Sequence, residues 1–325
     1  MADTATRSPS DRGVPPGLRV VTACAAVLVA YSYLFALWSV RHGESPGVLT
    51  AIRAWVNQPT GIGEDFGFLG TALLLLAAGH VVGGWSASGP RSLVVRLLRR
   101  GGPAPLCAAA IAGLLALAGL PPLLDPAITT ALGALALFAA LVPALGPLTR
   151  SAPGLAVLVE LEVVCLLLLA SGWAVAEGGP EWVRVLGLVA ALVPLPVLGQ
   201  VTRLVGDGRV PAVRGVALGV VSLLLLVAVD WLHPELVPYW RPLGATYALL
   251  LFLVALPRGA APAATLPVRW LGDRAWPLFL SVPAVGYPVA DALHPVLPPA
   301  VALVTGLVAA AATAEGLHRV EEGVA

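Results

Sequence analysis

The sequence contains no lysine: all 19 of its basic residues are arginine. Charge of either sign is scarce, at 11% of residues, where a soluble domain carries roughly 25%. A surface so poor in charge would not be solvated as an ordinary globule. Cysteine is rare too. Cys24, Cys107 and Cys165 all lie inside apolar runs, with neither CxxC nor metal-ligand spacing, so they read as small hydrophobes. No stretch between the apolar runs is long enough for a folded extramembrane domain. Soluble enzymes, nucleic-acid binders and secreted disulfide scaffolds are thereby excluded. Arginine without lysine, beside an excess of Ala, Gly, Pro and Val, is the compositional mark of a high-GC bacterial genome.

What is present in quantity is apolar: 58% of the 325 residues are hydrophobic and the mean hydropathy is +0.89. About 20 such residues make one membrane-spanning helix. The runs predict an all-α polytopic bundle of about ten spans, at 18–40, 66–87, 104–121, 128–147, 154–176, 183–201, 212–232, 243–257, 275–293 and 298–316. Residues 1–17 are expected to be a disordered cytoplasmic leader, 18–316 the transmembrane domain and 317–325 a cytoplasmic tail. The first apolar stretch is too long for a signal-peptide core and reads as a retained helix. Internal prolines such as Pro143, Pro194, Pro196, Pro283 and Pro288 imply bent helices whose neighbours re-satisfy the backbone.

The arginines orient the bundle. With the N-terminus in the cytoplasm and ten spans, only Arg41, Arg53, Arg184 and Arg241 of the 19 fall outside. The positive-inside rule favours that arrangement, with both termini cytoplasmic. Trp38, Trp85, Trp173, Trp182, Trp231, Trp240, Trp270 and Trp276 fall near span ends, as an aromatic belt does. The outer segment from Asp230 to Arg241 mixes aromatics with acids, which suits either that belt or stacking against a sugar.

Polar groups within the bilayer are costly and are functional candidates by default. Glu160 and Glu162 sit in the fifth span, two residues apart and so about 200° apart around the helix. One is expected to face the bundle interior, the other a cavity or a partner. His80 lies in the second span, roughly 13 Å deep at 1.5 Å per residue, where an imidazole can act as a general base or pack against a neighbouring helix. In the cytoplasmic segment after that span, Arg96 and Arg99 share a helix face, suited to a phosphate fork or to anionic lipid.

Several segments, taken in order, resemble the acyltransferase-3 family of integral membrane acyltransferases. Leu18-Arg19-Val20-Val21-Thr22 is similar to that family's opening "LR-x-x-A" helix. Gly63 to Gly70, followed by Leu73 to Gly79, is similar to its "GxxGVxLFFxxSG" second helix. Arg96 to Arg99 with Pro103 matches "RRxxRxxP", and Gly154 to Glu160 looks like a weakened "GPLWFxE". Trp270-Leu271-Gly272-Asp273 through Leu280, then a last span ending at Glu315 and Glu321, resembles the family's closing segments. The resemblance covers nearly the whole chain and includes the ten helices. It implies that an acyl group passes from a cytoplasmic acyl-CoA-type donor to a hydroxyl of a carbohydrate or lipid-linked acceptor. Arg19, Arg96 and Arg99 would hold the donor's phosphates. Acyl-CoA is then a co-substrate, with no tightly bound cofactor and no metal, and the expected location is the bacterial cytoplasmic membrane, among its lipids and away from nucleic acid.

The sequence departs from the family where the resemblance places the base. The family's histidine falls eleven residues after Arg19, at Ala30, which Tyr31 follows. Phe279-Leu280-Ser281-Val282 lacks the later histidine, and His80 replaces a phenylalanine of the second helix. Either the chain is a non-catalytic relative, or the base has moved. In the second case His80, at about the depth of Ala30, is the candidate base and Glu160 the candidate acid. A transporter or flippase is the remaining reading, since bent helices and buried acids suit alternating access. No repeat relates the two halves by eye.

Overall fold

In a computed structural model, the described residues are 15–43, 47–62, 66–85, 92, 94–95, 103–117, 119, 126–232 and 240–324. Arg96 and Arg99 of the expected phosphate fork lie outside them, as do Glu64 and Asp65. The described residues are mostly helical, with no strand among them. Seven helices among them are long and apolar enough to cross a membrane: Pro16–His42, Gly67–Trp85, Ala127–Ala144, Pro153–Ala176, Glu181–Gly206, Ala212–Val229 and Pro299–Gly323.

The first helix, α1 (Pro16–His42), has 27 residues, which makes it about 40 Å long at 1.5 Å per residue. Pro16 opens it, where a missing N–H costs nothing, and Gly43 closes it at a left-handed φ of 65°. Halfway along, Tyr31–Leu37 winds as a π-helix, wider than the α-turns on either side. Residues 47–60 form a shorter helical segment, α2, at the far end of the bundle from Pro16. Next comes α3 (Gly67–Trp85), which returns toward the starting end. Leu73, Leu74, Leu75 and Leu76 are all essentially inaccessible. A helix apolar on every side is expected to run through the middle of its bundle.

Its main neighbour is α8 (Glu181–Gly206), reached after α4 (Pro103–Leu117), α5 (Pro126–Ala144), α6 (Gly146–Ser151) and α7 (Pro153–Ala176). Val193 breaks α8 into two pieces, because Pro194 and Pro196 cannot donate to the turn before them. Its second piece lies backbone against backbone on α3. A methyl group on Gly79 would stand 1.8 Å from the Pro196 carbonyl oxygen, and one on Gly199 would stand 2.0 Å from that of Leu76. With no hydrophobic drive between helices in lipid, such close approach through small residues is what holds a pair together. Within the most apolar window of each helix, 72% of residues are buried in α8 and 67% in α3, against 28% in α5. The first two form the centre and the third the rim.

The chain continues through α9 (Ala212–Leu232), α10 (Trp240–Arg258) and two short helices, α11 (Ala260–Ala263) and α12 (Leu266–Asp273). A further helix, α13, occupies residues 275–293 and has its own π-helical turn at Val282–Gly286. The last, α14 (Pro299–Val324), runs on as helix through most of 317–325, the stretch read from the sequence as a tail. α1 and α13 run side by side in the same direction. Arg19 pairs with Asp273 just before α13 starts, His42 pairs with Asp291 where it ends, and the two π-segments meet between them.

Candidate functional site

At the starting end of the bundle, the first and last parts of the chain converge. The Arg19 Nε donates to Asp273 Oδ1 at 3.0 Å, and both side chains keep about a third of their surface accessible (31% and 30%). Local packing fixes this pair. Gly272 lies against the Arg19 backbone, where a methyl group would come within 2.6 Å of the Arg19 carbonyl, and the Thr22 hydroxyl donates to the Gly272 carbonyl at 3.1 Å. Asp273 thus anchors the guanidinium through one nitrogen, and the two terminal nitrogens have no partner among the described residues. A fork held in this way is pre-organised for a phosphate.

Beside it, Glu315 of α14 accepts from three groups. Arg274 donates to its Oε2, Trp270 Nε1 donates to the same oxygen at 3.3 Å, and Arg319 donates to Oε1 at 3.0 Å. The Arg274 guanidinium also lies over the Trp270 ring, 5.2 Å from its centroid. Next to Glu315, an open groove of about 470 Å³ runs between α4 and α14, lined by residues such as Cys107, Ala110, Ile111, Gly316 and Leu317. Its walls are almost wholly apolar. Arginines beside an apolar groove match an amphipathic ligand with an anionic head and a hydrocarbon tail.

The two catalytic candidates lie inside the same bundle. Glu160 of α7 is fully buried and accepts from Gln200 Nε2 at 3.3 Å, while its other oxygen and Gln200 Oε1 have no partner in the described structure. His80 of α3 is buried, its Nδ1 3.2 Å from Thr202 Oγ1 and its ring edge-on to Phe252 at 5.6 Å. Gln200 and Thr202 are two residues apart on α8, so they project from it about 200° apart. Glu160 and His80 therefore flank α8 on different sides and do not form one acid–base pair.

The register of α1 on α3 also separates His80 from Ala30. It is Gly70 that packs against Ala25 and Val29. His80 lies ten residues further along α3, about 15 Å toward the starting end. The matched depth expected from counting along each helix fails because α3 enters the bundle at Gly67 rather than level with the end of α1. Of the two acids in α7, Glu160 takes the interior and Glu162 is exposed on the bundle's outer face.

One polar cluster had no signal in the sequence. At the far end, His42 Nε2 lies 3.0 Å from Asp291 Oδ1, and His42 Nδ1 lies 2.9 Å from the Trp38 carbonyl. The His42 ring stacks on Trp38 at 4.3 Å and meets His294 edge-on at 4.5 Å. With both ring nitrogens engaged, His42 has none free to take a proton from a substrate, so the cluster is a clasp between α1 and the end of α13. Only α13's position beside α1 brings these residues together. They are about 250 positions apart, and each alone looks like an ordinary interfacial residue. Among the described residues no group of three or more His, Cys, Asp or Glu is arranged to hold a metal.

Comparison with known proteins yields no match to a family model, a curated protein or a solved structure.

Proposed function

We propose that the chain is an integral membrane protein of acyltransferase type, built of about ten spans. In this reading it sits in a bacterial cytoplasmic membrane with both termini inside, and it binds an acyl-CoA-type donor at the Arg19 end of the bundle. One observation carries the reading. The segments bearing the acyltransferase-3 resemblance at the two ends of the chain, Arg19 and Trp270 to Asp273 with Glu315, meet at one end of the bundle, beside an apolar groove. The donor's phosphates lie on the terminal nitrogens of Arg19, with Arg96 and Arg99 contributing from the segment before α4, and its acyl chain enters the groove. Counting α4, α10 and α13 beside the seven long apolar helices supports that span number. Among described residues only Arg41, Arg53, Arg184 and Arg241 then lie at the outer end, which is the arginine bias that sets orientation.

The reaction is transfer of the acyl group to a hydroxyl of a carbohydrate or lipid-linked acceptor. The hydroxyl oxygen attacks the thioester carbonyl, the C–S bond breaks, and the hydroxyl proton leaves to a base as the CoA thiolate departs. His80 is the candidate base and Glu160 a second proton-transfer group. A non-catalytic donor-binding protein is the second reading, favoured by His80's close packing between Thr202 and Phe252. Binding of palmitoyl-CoA and free CoA to the detergent-purified full chain tests the first claim. Arg19→Ala is expected to weaken palmitoyl-CoA binding at least 10-fold, and absence of binding by the wild type overturns the proposal. Acyl transfer that survives His80→Ala removes His80, and binding without turnover on any hydroxyl acceptor selects the non-catalytic reading.

A further inference from the structure

His80 and Thr202 face each other across the backbone contact of α3 and α8, beside Gly79 and Gly199. The His80 Nδ1 lies 3.2 Å from Thr202 Oγ1. A hydroxyl both donates and accepts, so this distance alone leaves the direction of the bond open. The threonine's own proton decides it. Thr202 Oγ1 donates to the Gly199 carbonyl at 2.7 Å, the usual length of an O–H···O bond. A hydroxyl has one proton, and with that proton committed Oγ1 can only accept. The Gly199 carbonyl lies near the ring as well, and a carbonyl has no proton to give. Nδ1 must therefore carry hydrogen, and in a neutral imidazole Nε2 is then the bare nitrogen. Nε2 has no hydrogen-bond partner among the described residues, yet it is not sealed off as the unpaired oxygens of Glu160 and Gln200 are. Arg203 and Asp207, whose charges act on the ring, pair with each other at 3.0 Å and do not bond to Nε2.

We propose that Thr202 is a positioning residue: it locks His80 as the Nδ1–H tautomer and leaves Nε2 as the nitrogen that takes a proton. Histidine in water prefers the opposite form, with hydrogen on Nε2. Without the threonine the lone pair would therefore sit on Nδ1, against α8, where no substrate reaches it. Phe252, edge-on to the ring at 5.6 Å, helps to hold its plane. The role of Nε2 as a base rests on the acyl-transfer reading above, whereas the tautomer does not. In that reaction the acceptor's hydroxyl proton passes to Nε2 as its oxygen bonds to the thioester carbonyl carbon, and the CoA thiolate leaves as the C–S bond breaks. The imidazolium so formed carries hydrogen on both nitrogens, and its Nδ1–H stays on Thr202 Oγ1. The chain from Nδ1–H through the hydroxyl to the Gly199 carbonyl runs in one direction, so its bonds strengthen together as the ring becomes positive.

Nitrogen-15 solid-state NMR reads the tautomer directly. The full chain is labelled at histidine, reconstituted in phosphatidylcholine–phosphatidylglycerol vesicles and measured at about pH 8, where an ordinary histidine is neutral. The protein has five histidines, and the resonances lost in His80→Gln identify those of His80. Wild-type His80 is expected to carry hydrogen on Nδ1 and none on Nε2. Thr202→Val, similar in size but without the hydroxyl, is expected to shift the ratio toward Nε2–H about 5-fold, the worth of one hydrogen bond. Thr202→Ser is expected to restore it. A wild type with hydrogen on Nε2 overturns the proposal whatever the variants do. A Thr202→Val protein with the wild-type tautomer overturns it too, because the Gly199 carbonyl would then suffice. In palmitoyl transfer to a hydroxyl acceptor, Thr202→Val is expected to lower kcat about 10-fold with palmitoyl-CoA binding unchanged, a share of the roughly 10²–10⁴ that a positioned base supplies. The expected tautomers without any turnover support the assignment of Thr202 and count against the acyl-transfer reading instead.

Discussion

Replacing Gly199 by alanine tests the backbone-to-backbone contact between α3 and α8. The new methyl would lie 2.0 Å from the Leu76 carbonyl oxygen and 2.9 Å from the His80 amide nitrogen. Carbon needs roughly 3.5 Å from such neighbours, so α3 and α8 must separate locally by more than about 1 Å. Both obstructing groups are backbone, which cannot rotate aside as a side chain does. Overpacking of this kind costs about 3 kcal/mol at the upper end, while the better helix propensity of alanine returns roughly 1 kcal/mol. The net loss is about 2 kcal/mol, more than a factor of ten in the ratio of folded to unfolded protein. Gly113 is the control, because nothing lies within 4 Å of a methyl there, and Gly113→Ala is expected to be neutral or stabilising by up to about 1 kcal/mol. Helicity followed through an SDS titration of the detergent-purified protein reads both variants. A Gly199→Ala protein as stable as Gly113→Ala would refute the backbone contact between α3 and α8. It would also remove the reason for His80 being held where it is.

Three further outcomes are expected. Gln200→Leu leaves the buried Glu160 without its donor and destabilises the protein by about 1–3 kcal/mol. The double variant Glu160→Leu, Gln200→Leu is expected to lose less than the sum of the single changes, read as a double-mutant cycle in the same titration. Asp273→Asn keeps an acceptor for the Arg19 Nε but removes a negative charge, so stability changes by under about 1 kcal/mol while palmitoyl-CoA affinity rises by up to about 5-fold; a fall in affinity would show that the carboxylate's charge, and not its acceptor oxygen alone, holds the Arg19 fork. At the clasp, Asp291 is half-exposed, so Asp291→Asn is expected to cost under about 1 kcal/mol. His42→Ala also loses the ring contacts to Trp38 and His294 and costs about 0.5–1.5 kcal/mol more, a difference the SDS midpoints should resolve.

The helices were legible in the sequence because a long apolar run has few alternatives in a membrane. The opposed faces of Glu160 and Glu162 followed from their two-residue spacing, although spacing alone does not say which turns inward. Gln200 opposite Glu160 decides that. The centre of the bundle was harder to foresee. Gly79, Pro196 and Gly199 are individually unremarkable in an apolar sequence, and their meaning lies in a contact between chain segments some 120 residues apart. The equal depth of His80 and Ala30 failed for a related reason. Depth along a helix can be counted from its own end, but the offset between two helices is set by their packing, here by Gly70 against Ala25 and Val29. His42, Asp291 and His294 escaped notice because each sits at a helix end, where polar residues are common.

The paired helices α1 and α13 have a consequence for tolerance to insertion and deletion. Each is pinned at both ends by a polar side-chain pair and carries a wider π-segment between the pins. Such a segment accommodates extra chain within a helix without changing where its ends point. Elsewhere in α1, removing one residue rotates everything beyond it by about 100° and takes His42 away from Asp291. Within Tyr31–Leu37 the loss can be absorbed by tightening the π-turn into an α-turn, leaving Arg19 and His42 at their partners. The middle of the first helix, where a deletion would ordinarily be most harmful, is thus the one stretch of it with a residue to spare.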